Sequence, residues 1–81
     1  MFYVYVLKSI KNNRLYTGST SNLNKRIRQH NLGLSRYTKL TRPFKLVYKE
    51  VYKSRAEAYR RELFLKSGKG REFLTNLIKD D

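Results

Sequence analysis

The chain has 81 residues, no Cys, and a formal charge of +13 from 19 Lys and Arg against 6 Asp and Glu. One domain of this length hides only about 60% of the surface its unfolded form exposes, so a single compact core must carry it. The missing Cys excludes disulfide frameworks, zinc fingers and thiol nucleophiles. So large a charge opposes folding by self-repulsion and points to a polyanionic partner, nucleic acid above all, through phosphate neutralisation and counterion release. A membrane surface fits less well, because the basic residues are spread along the chain and not gathered on one amphipathic helix. The apolar stretch Met1 to Leu7 is too short for a span or a secretory core, and a cytoplasmic location is expected.

In chain order, Phe2 to Ser9 reads as a strand with both faces partly covered, Phe2, Val4 and Val6 alternating with Tyr3, Tyr5 and Leu7. Lys11-Asn12-Asn13-Arg14 reads as a turn into a second, antiparallel strand, Leu15 to Ser19. Ser21 or Asn22 caps a helix reaching about Asn31, with Leu23 and Ile27 toward the core and Arg26 and His30 a turn apart on another face. Gly33 is a helix stop within a polar loop that ends at Pro43. Phe44 to Tyr52 is a third strand. Ser54-Arg55-Ala56-Glu57 is a capping box for a helix ending at Gly68, and Gly70 to Ile78 is a last short helix. The order β-β-α-β-α-α predicts one α+β domain over residues 1–81, a small, mostly antiparallel three-stranded sheet flanked by helices.

Several catalytic kits are missing. One His cannot build a multi-His metal site, and no phosphate-binding glycine loop occurs. Carboxylates are too few for a two-metal cluster, since Glu57 belongs to a cap and Asp80 and Asp81 end the chain. If a catalytic metal binds, one carboxylate anchors it while water and phosphate complete the shell, an arrangement that suits magnesium. Glu62, among apolar helical neighbours, is the candidate. On spacing alone, the commoner fate of such a residue is an i,i+4 pair with Lys66, or a pairing with Arg55. Tyr5 and Tyr16 sit on adjacent strands and can share a sheet face, as ordinary sheet aromatics also do. Arg26 and His30 can face the same place or form a solvated basic face.

Tyr3-Val4-Tyr5, Tyr16-Thr17-Gly18, Arg26, His30 and Glu62, in this order and on these elements, resemble the GIY-YIG nuclease family, whose members include the N-terminal domain of the excinuclease C subunit. The resemblance spans essentially the whole chain and is nearest to small stand-alone members. Three positions of the two tyrosine motifs depart from the family pattern, at Tyr3, Val4 and Thr17. Ser19 stands where some members carry a Lys.

The resemblance implies a metal-dependent endonuclease acting on nucleic acid, DNA ahead of RNA, with one Mg2+ or Mn2+ ion on Glu62. Arg26 would hold the phosphate, Tyr16 would act as general base with His30 as relay or rival base, and Tyr5 would position water or phosphate. A free phenol titrates near pH 10 and is a poor base at neutral pH, so neighbouring cations must favour its phenolate. Gly18 would permit close backbone approach. Ser19, Lys25, Lys66, Lys69 and Arg71 are expected to contact substrate, as is the loop from Gly33 to Arg42. Low sequence specificity is expected of a lone module, in a monomer or weak dimer, with a targeting protein left open. A catalytically weak binding module on the same fold is the alternative, and a ribosome-associated basic protein a third reading.

Overall fold

The computed structural model describes residues 1–34 and 38–78. Its elements are β1 (Phe2–Ser9), β2 (Leu15–Thr20), α1 (Leu23–Asn31), β3 (Phe44–Tyr52), α2 (Arg55–Lys66) and α3 (Gly68–Ile78). The expected α+β order holds. The strands form one antiparallel sheet in the order β2-β1-β3, which puts the first strand in the middle. Among the described residues no helix is long and apolar enough to cross a membrane.

Alternation along β1 sets the layers. Tyr5 and Leu7 pack with Leu23 of α1 and with Phe44, joined by Tyr3, Tyr16 and Ile27. Val4 and Val6 point the other way, onto Ala58 and Leu65 of α2 and Leu74 and Ile78 of α3. Val4, Tyr5, Val6 and Leu7 are each 0% exposed, which a strand reaches only when both its faces are covered. Each apolar side chain so buried contributes about 1.5–3 kcal/mol, and β1 therefore anchors both halves of the core.

Local signals account for the connections. In the β1–β2 turn the Ser9 hydroxyl accepts from the N–H groups of Lys11 and Asn12, at 3.1 and 3.2 Å, and Asn13 takes a φ of 63°. Asparagine tolerates that left-handed conformation. Asn22, and not Ser21, caps α1 by accepting the Lys25 N–H at 3.1 Å. The side-chain amide of Asn31 grips the backbone of Phe44 at 2.6 and 3.3 Å, tying the end of α1 to the start of β3. Ser54 caps α2 by accepting the Glu57 N–H at 3.1 Å, but the Glu57 carboxylate accepts from the Ser54 hydroxyl and does not reach back to its backbone, so half of the box forms.

Three boundaries differ from the sequence reading. β2 runs one residue further, to Thr20, α2 ends at Lys66, short of Gly68, and α3 starts at Gly68, not Gly70. Ser67 explains the third difference by serving both helices. Its hydroxyl donates to the Phe64 carbonyl at 2.5 Å and accepts from the Gly70 N–H at 3.3 Å. Gly70 is required by packing instead, because a Cβ there would lie 2.0 Å from the Phe64 carbonyl oxygen and 2.4 Å from the Leu65 Cα. Gly70→Ala is expected to destabilise the fold by about 2 kcal/mol, read as a lower urea midpoint. Gly68→Ala, whose Cβ would meet nothing within 4 Å, should leave the midpoint unchanged or raise it slightly.

Candidate active site

Tyr5 stands opposite Gly18 on the α1 side of the sheet. Its hydroxyl oxygen accepts the Nε–H of Arg26 at 3.3 Å and lies 3.1 Å from His30 Nε2. His30 Nδ1 lies 2.7 Å from the hydroxyl oxygen of Thr38. In the tautomer with Nδ1–H donated to Thr38, Nε2 accepts the phenolic proton of Tyr5 and the phenol oxygen accepts the Arg26 N–H. Tyr5, His30 and Thr38 are all buried. Burial pushes the Tyr5 phenol up, against the opposing pull of the Arg26 bond. Burial, followed by the Arg26 charge, holds His30 below the usual histidine range. Both groups are therefore neutral near pH 7.

Tyr16 pairs with Leu7 in the β ladder and shares the face of Tyr5, with ring centroids 6.4 Å apart. Its ring meets His30 edge-on at 4.8 Å. The two touch as rings, and the hydrogen bond of the imidazole Nε2 goes to Tyr5 instead. Arg26 serves both phenols: its guanidinium is raised above its ordinary value chiefly by the Tyr5 bond, with Tyr16 adding a smaller part. Gly18 makes room for this assembly. A Cβ on it would lie 2.5 Å from the Tyr5 hydroxyl, and glycine within a strand commonly marks such an approach.

Glu62 arrives from the other side of the sheet. Ser19 follows Gly18 in β2 and so faces α2, and its hydroxyl donates to Glu62 Oε1 at 2.6 Å. Lys66 Nζ donates to Oε2, also at 2.6 Å. The i,i+4 pair weighed from the sequence is thus present, together with an attachment to the sheet that spacing did not announce. The carboxylate lies on the opposite face of the sheet from Tyr5, Tyr16, Arg26 and His30, with the edge strand β2 between them, and its charge is the smallest of the influences that push the Tyr5 phenol up.

Among the described residues no group of three His, Cys, Asp or Glu could enclose an ion. A single carboxylate at the edge fits a hard divalent ion that keeps most of its water and takes phosphate oxygens as further ligands. The Lys66 side chain is 47% exposed, against 13% for Glu62, and its flexible stem can release Oε2.

Basic clefts border β2 on both sides. One, of about 370 Å³, is lined by Lys25, Arg26, Thr20, Ser21, Asn22 and Gln29. The other, of about 490 Å³, has Tyr16, Arg14, Lys66 and Arg71 on its walls and Leu65 and Leu74 among its apolar lining. Lys69 is exposed and lines neither. Of the loop expected to contact phosphate, residues 35–37 lie outside the described residues, and Thr38 turns inward onto His30.

Nothing in the immediate sequence of Thr38 and Ser19 marks them as partners of His30 and Glu62. Glu50 is a further partner residue of this kind. It accepts two N–H groups of Arg61 at 2.9 and 3.1 Å, the Tyr52 hydroxyl at 2.6 Å and the Tyr48 hydroxyl. Burial pushes its carboxyl up, but Arg61 and the two hydroxyls outweigh this and hold it below the ordinary range. The bond to Glu50 in turn pushes Tyr52 up to about 12. The alternation Tyr48-Lys49-Glu50-Val51-Tyr52 was the available signal, since residues two apart on a strand share a face.

Residues 1–76 match the GIY-YIG catalytic domain. The chain is 50% identical over 66 residues to a UPF0213 protein of Staphylococcus haemolyticus, covering 80% of this chain and 79% of that one. It is 49% identical over 67 residues to a UPF0213 protein of Clostridium perfringens, covering 82% and 71%. The solution NMR structure of a UPF0213 protein from Bacillus halodurans superimposes with a TM-score of 0.56 at 37% identity, spanning 95% of this chain and 85% of that one.

The neutral His30 makes stability depend on pH in a defined direction. It is the one histidine of the chain, and its folded pKa lies below the unfolded value of about 6.5. On acidification the unfolded chain takes up the proton first, so stability is full above about pH 6.5 and falls below it toward the folded pKa. Melting temperatures measured from about pH 7 to 5 should decline. His30→Gln should flatten that decline while lowering the melting temperature at neutral pH.

Proposed function

We propose that this chain, which belongs to the GIY-YIG family of nuclease catalytic domains, is a divalent-metal-dependent endonuclease that hydrolyses phosphodiester bonds, in DNA ahead of RNA. The observation that supports this most is the meeting of Tyr5, Tyr16, Arg26 and His30 in one cluster, with Glu62 bonded to Ser19 on the other face of the same edge strand. The scissile phosphate would lie at the open edge of β2, between the phenols and the carboxylate.

Each residue has a role that its surroundings permit. Arg26 spends its Nε–H on Tyr5, and Gln29 holds one outer nitrogen only loosely, at 3.4 Å. The outer N–H groups of the guanidinium can therefore grip non-bridging phosphate oxygens in a charge-assisted fork. Tyr5 is neutral and hydrogen-bonded on both sides, which suits it to orient Arg26 and not to accept a proton. Tyr16 is only half-buried and lines a cleft, so it takes the general-base role toward the attacking water. His30 holds Tyr5 and braces the Tyr16 ring instead of relaying a proton from Tyr16. A divalent ion on Glu62, Mg2+ or Mn2+, would supply Lewis acidity at the phosphate and the leaving oxygen. Lys25, Lys66 and Arg71 would track the flanking phosphates, while Ser19 orients the carboxylate. With so few base-reading elements on one module, sequence specificity is low.

The grip of Ser19 and Lys66 on both Glu62 oxygens favours a second reading, a binding module of little or no catalytic power. Plasmid nicking separates the two. The protein with Mg2+ or Mn2+ should nick supercoiled DNA, and Glu62→Ala should lower that rate at least about a hundredfold, as befits the several kcal/mol a Lewis acid supplies. Binding in chelator should survive the substitution. Equal nicking by wild type and variant would remove Glu62 from the chemistry, and binding with no nicking by the wild type would select the second reading. Lys25→Glu and Arg71→Glu should each weaken DNA binding and reduce the slope of log K against log salt by about 1.

A further inference from the structure

We infer that Glu50 and Arg61 are positioning residues for Glu62, which aim its carboxylate at the open edge of β2 by fixing how α2 sits across the sheet. The inference rests on the reading of Glu62 as the metal-bearing carboxylate.

Strand register carries it. Ser19 of β2, Val4 of β1 and Glu50 of β3 form one cross-strand row, and Val4 in that row packs against α2 and α3. Neighbouring strands lie about 4.8 Å apart, so Ser19 and Glu50 stand two such steps from each other. Consecutive residues of α2 reach both: Arg61 bonds Glu50 at 2.9 and 3.1 Å, and Glu62 bonds Ser19 at 2.6 Å. Helix geometry permits this. Ala58 and Leu65, each 1% exposed, mark the line along which α2 rests on the sheet. At about 100° per residue, Arg61 and Glu62 fall about 50° to either side of that line. The helix straddles the sheet, pinned to one outer strand by position 61 and to the other by position 62.

The two attachments differ in strength. Each oxygen of Glu50 accepts two donors, Arg61 Nε and the Tyr52 hydroxyl on Oε1, and Arg61 Nη2 and the Tyr48 hydroxyl on Oε2. The Arg61 guanidinium also lies over Phe64 and Phe73, 4.9 and 5.4 Å from the ring centroids. A carboxylate so saturated has no place for a ligand, and its surroundings make it a fixed joint. Glu62 has one sheet hydrogen bond and an exposed lysine. The rigid side therefore sets the rotation of α2. When Lys66 or Ser19 yields to an incoming ligand, Glu62 keeps its aim because the helix cannot roll.

The test observes the side chain directly, in protein free of metal. In the wild type, the two γ protons of Glu62 should give resolved NMR signals with couplings of a single rotamer. Glu50→Gln and Arg61→Lys should merge those signals toward rotamer averaging and weaken Mn2+ binding, measured by electron paramagnetic resonance, about tenfold. Ser54→Ala removes the cap of α2 without touching either attachment. It should lower the melting temperature yet leave the Glu62 rotamer and Mn2+ affinity unchanged. Tyr52→Phe, which keeps the ion pair and removes one hydroxyl from Glu50, should give a partial effect and serves if a stronger variant does not fold. A fixed Glu62 rotamer in folded Glu50→Gln and Arg61→Lys would overturn the inference, as would equal averaging in Ser54→Ala. If Glu62→Ala leaves Mn2+ binding unchanged, the metal reading fails separately, and the rotamer measurement still decides the positioning role.

Discussion

Everything in this small molecule hangs on the burial of β1 from both sides. A three-stranded sheet in a short chain has one interior strand, and here it is the first one made. Its alternating side chains are divided between two helical layers, Tyr5 and Leu7 toward α1 and Val4 and Val6 toward α2 and α3. Because side chains of a strand alternate strictly, a slip of one residue would exchange the layers and put two valines where a phenol is needed. Register is thus specified by the core, and the site inherits that precision. Among the described residues, the tyrosine most enclosed by protein is also the one bonded to both Arg26 and His30.

The two layers carry polar groups of opposite character. On the α1 side the joints are neutral: a phenol, an imidazole and a threonine hydroxyl pass hydrogen bonds along a buried line, and burial itself keeps the imidazole uncharged. A neutral line of this kind avoids the desolvation penalty of an enclosed ion. On the α2 side the joints are ionic and partly wet, with Glu50 on Arg61 and Glu62 on Lys66. Charge is tolerable there because water reaches it, and it must be there if a cation is to be attracted into so basic a protein. The edge strand β2 lies between the two kinds of chemistry, with Gly18 against one and Ser19 bonded to the other.

Much of this was legible in the linear order of residues. The alternation of Phe2 to Leu7, the caps at Asn22 and Ser54 and the spacing of Leu23 and Ile27 are local signals, and they located all six elements. The strand that holds Tyr5 and the helix that holds Arg26 and His30 followed from the same patterns. What escaped were contacts between segments far apart in the chain. Ser19 finds Glu62 across 43 positions, and Arg61 finds Glu50 across 11. Thr38 finds His30 from within a loop whose polar composition pointed outward. Ser67 escaped for another reason. Serine serves equally well at the end of one helix or the start of the next, and the glycines beside it drew the boundary two residues late.

Gly18 shows how a site can depend on a residue with nothing to offer it. The smallest possible addition there would strike the phenol oxygen to which both Arg26 and His30 are bonded. The strand cannot shift to accommodate it, because β2 is laddered to β1 from Leu15 through Thr20. Any side chain at position 18 would therefore disturb three hydrogen-bonded side chains at once while leaving each of them chemically intact. Diversity at the chemistry-bearing positions can be explored one residue at a time. The empty position admits no such exploration, because every residue other than glycine brings the atom that strikes the phenol.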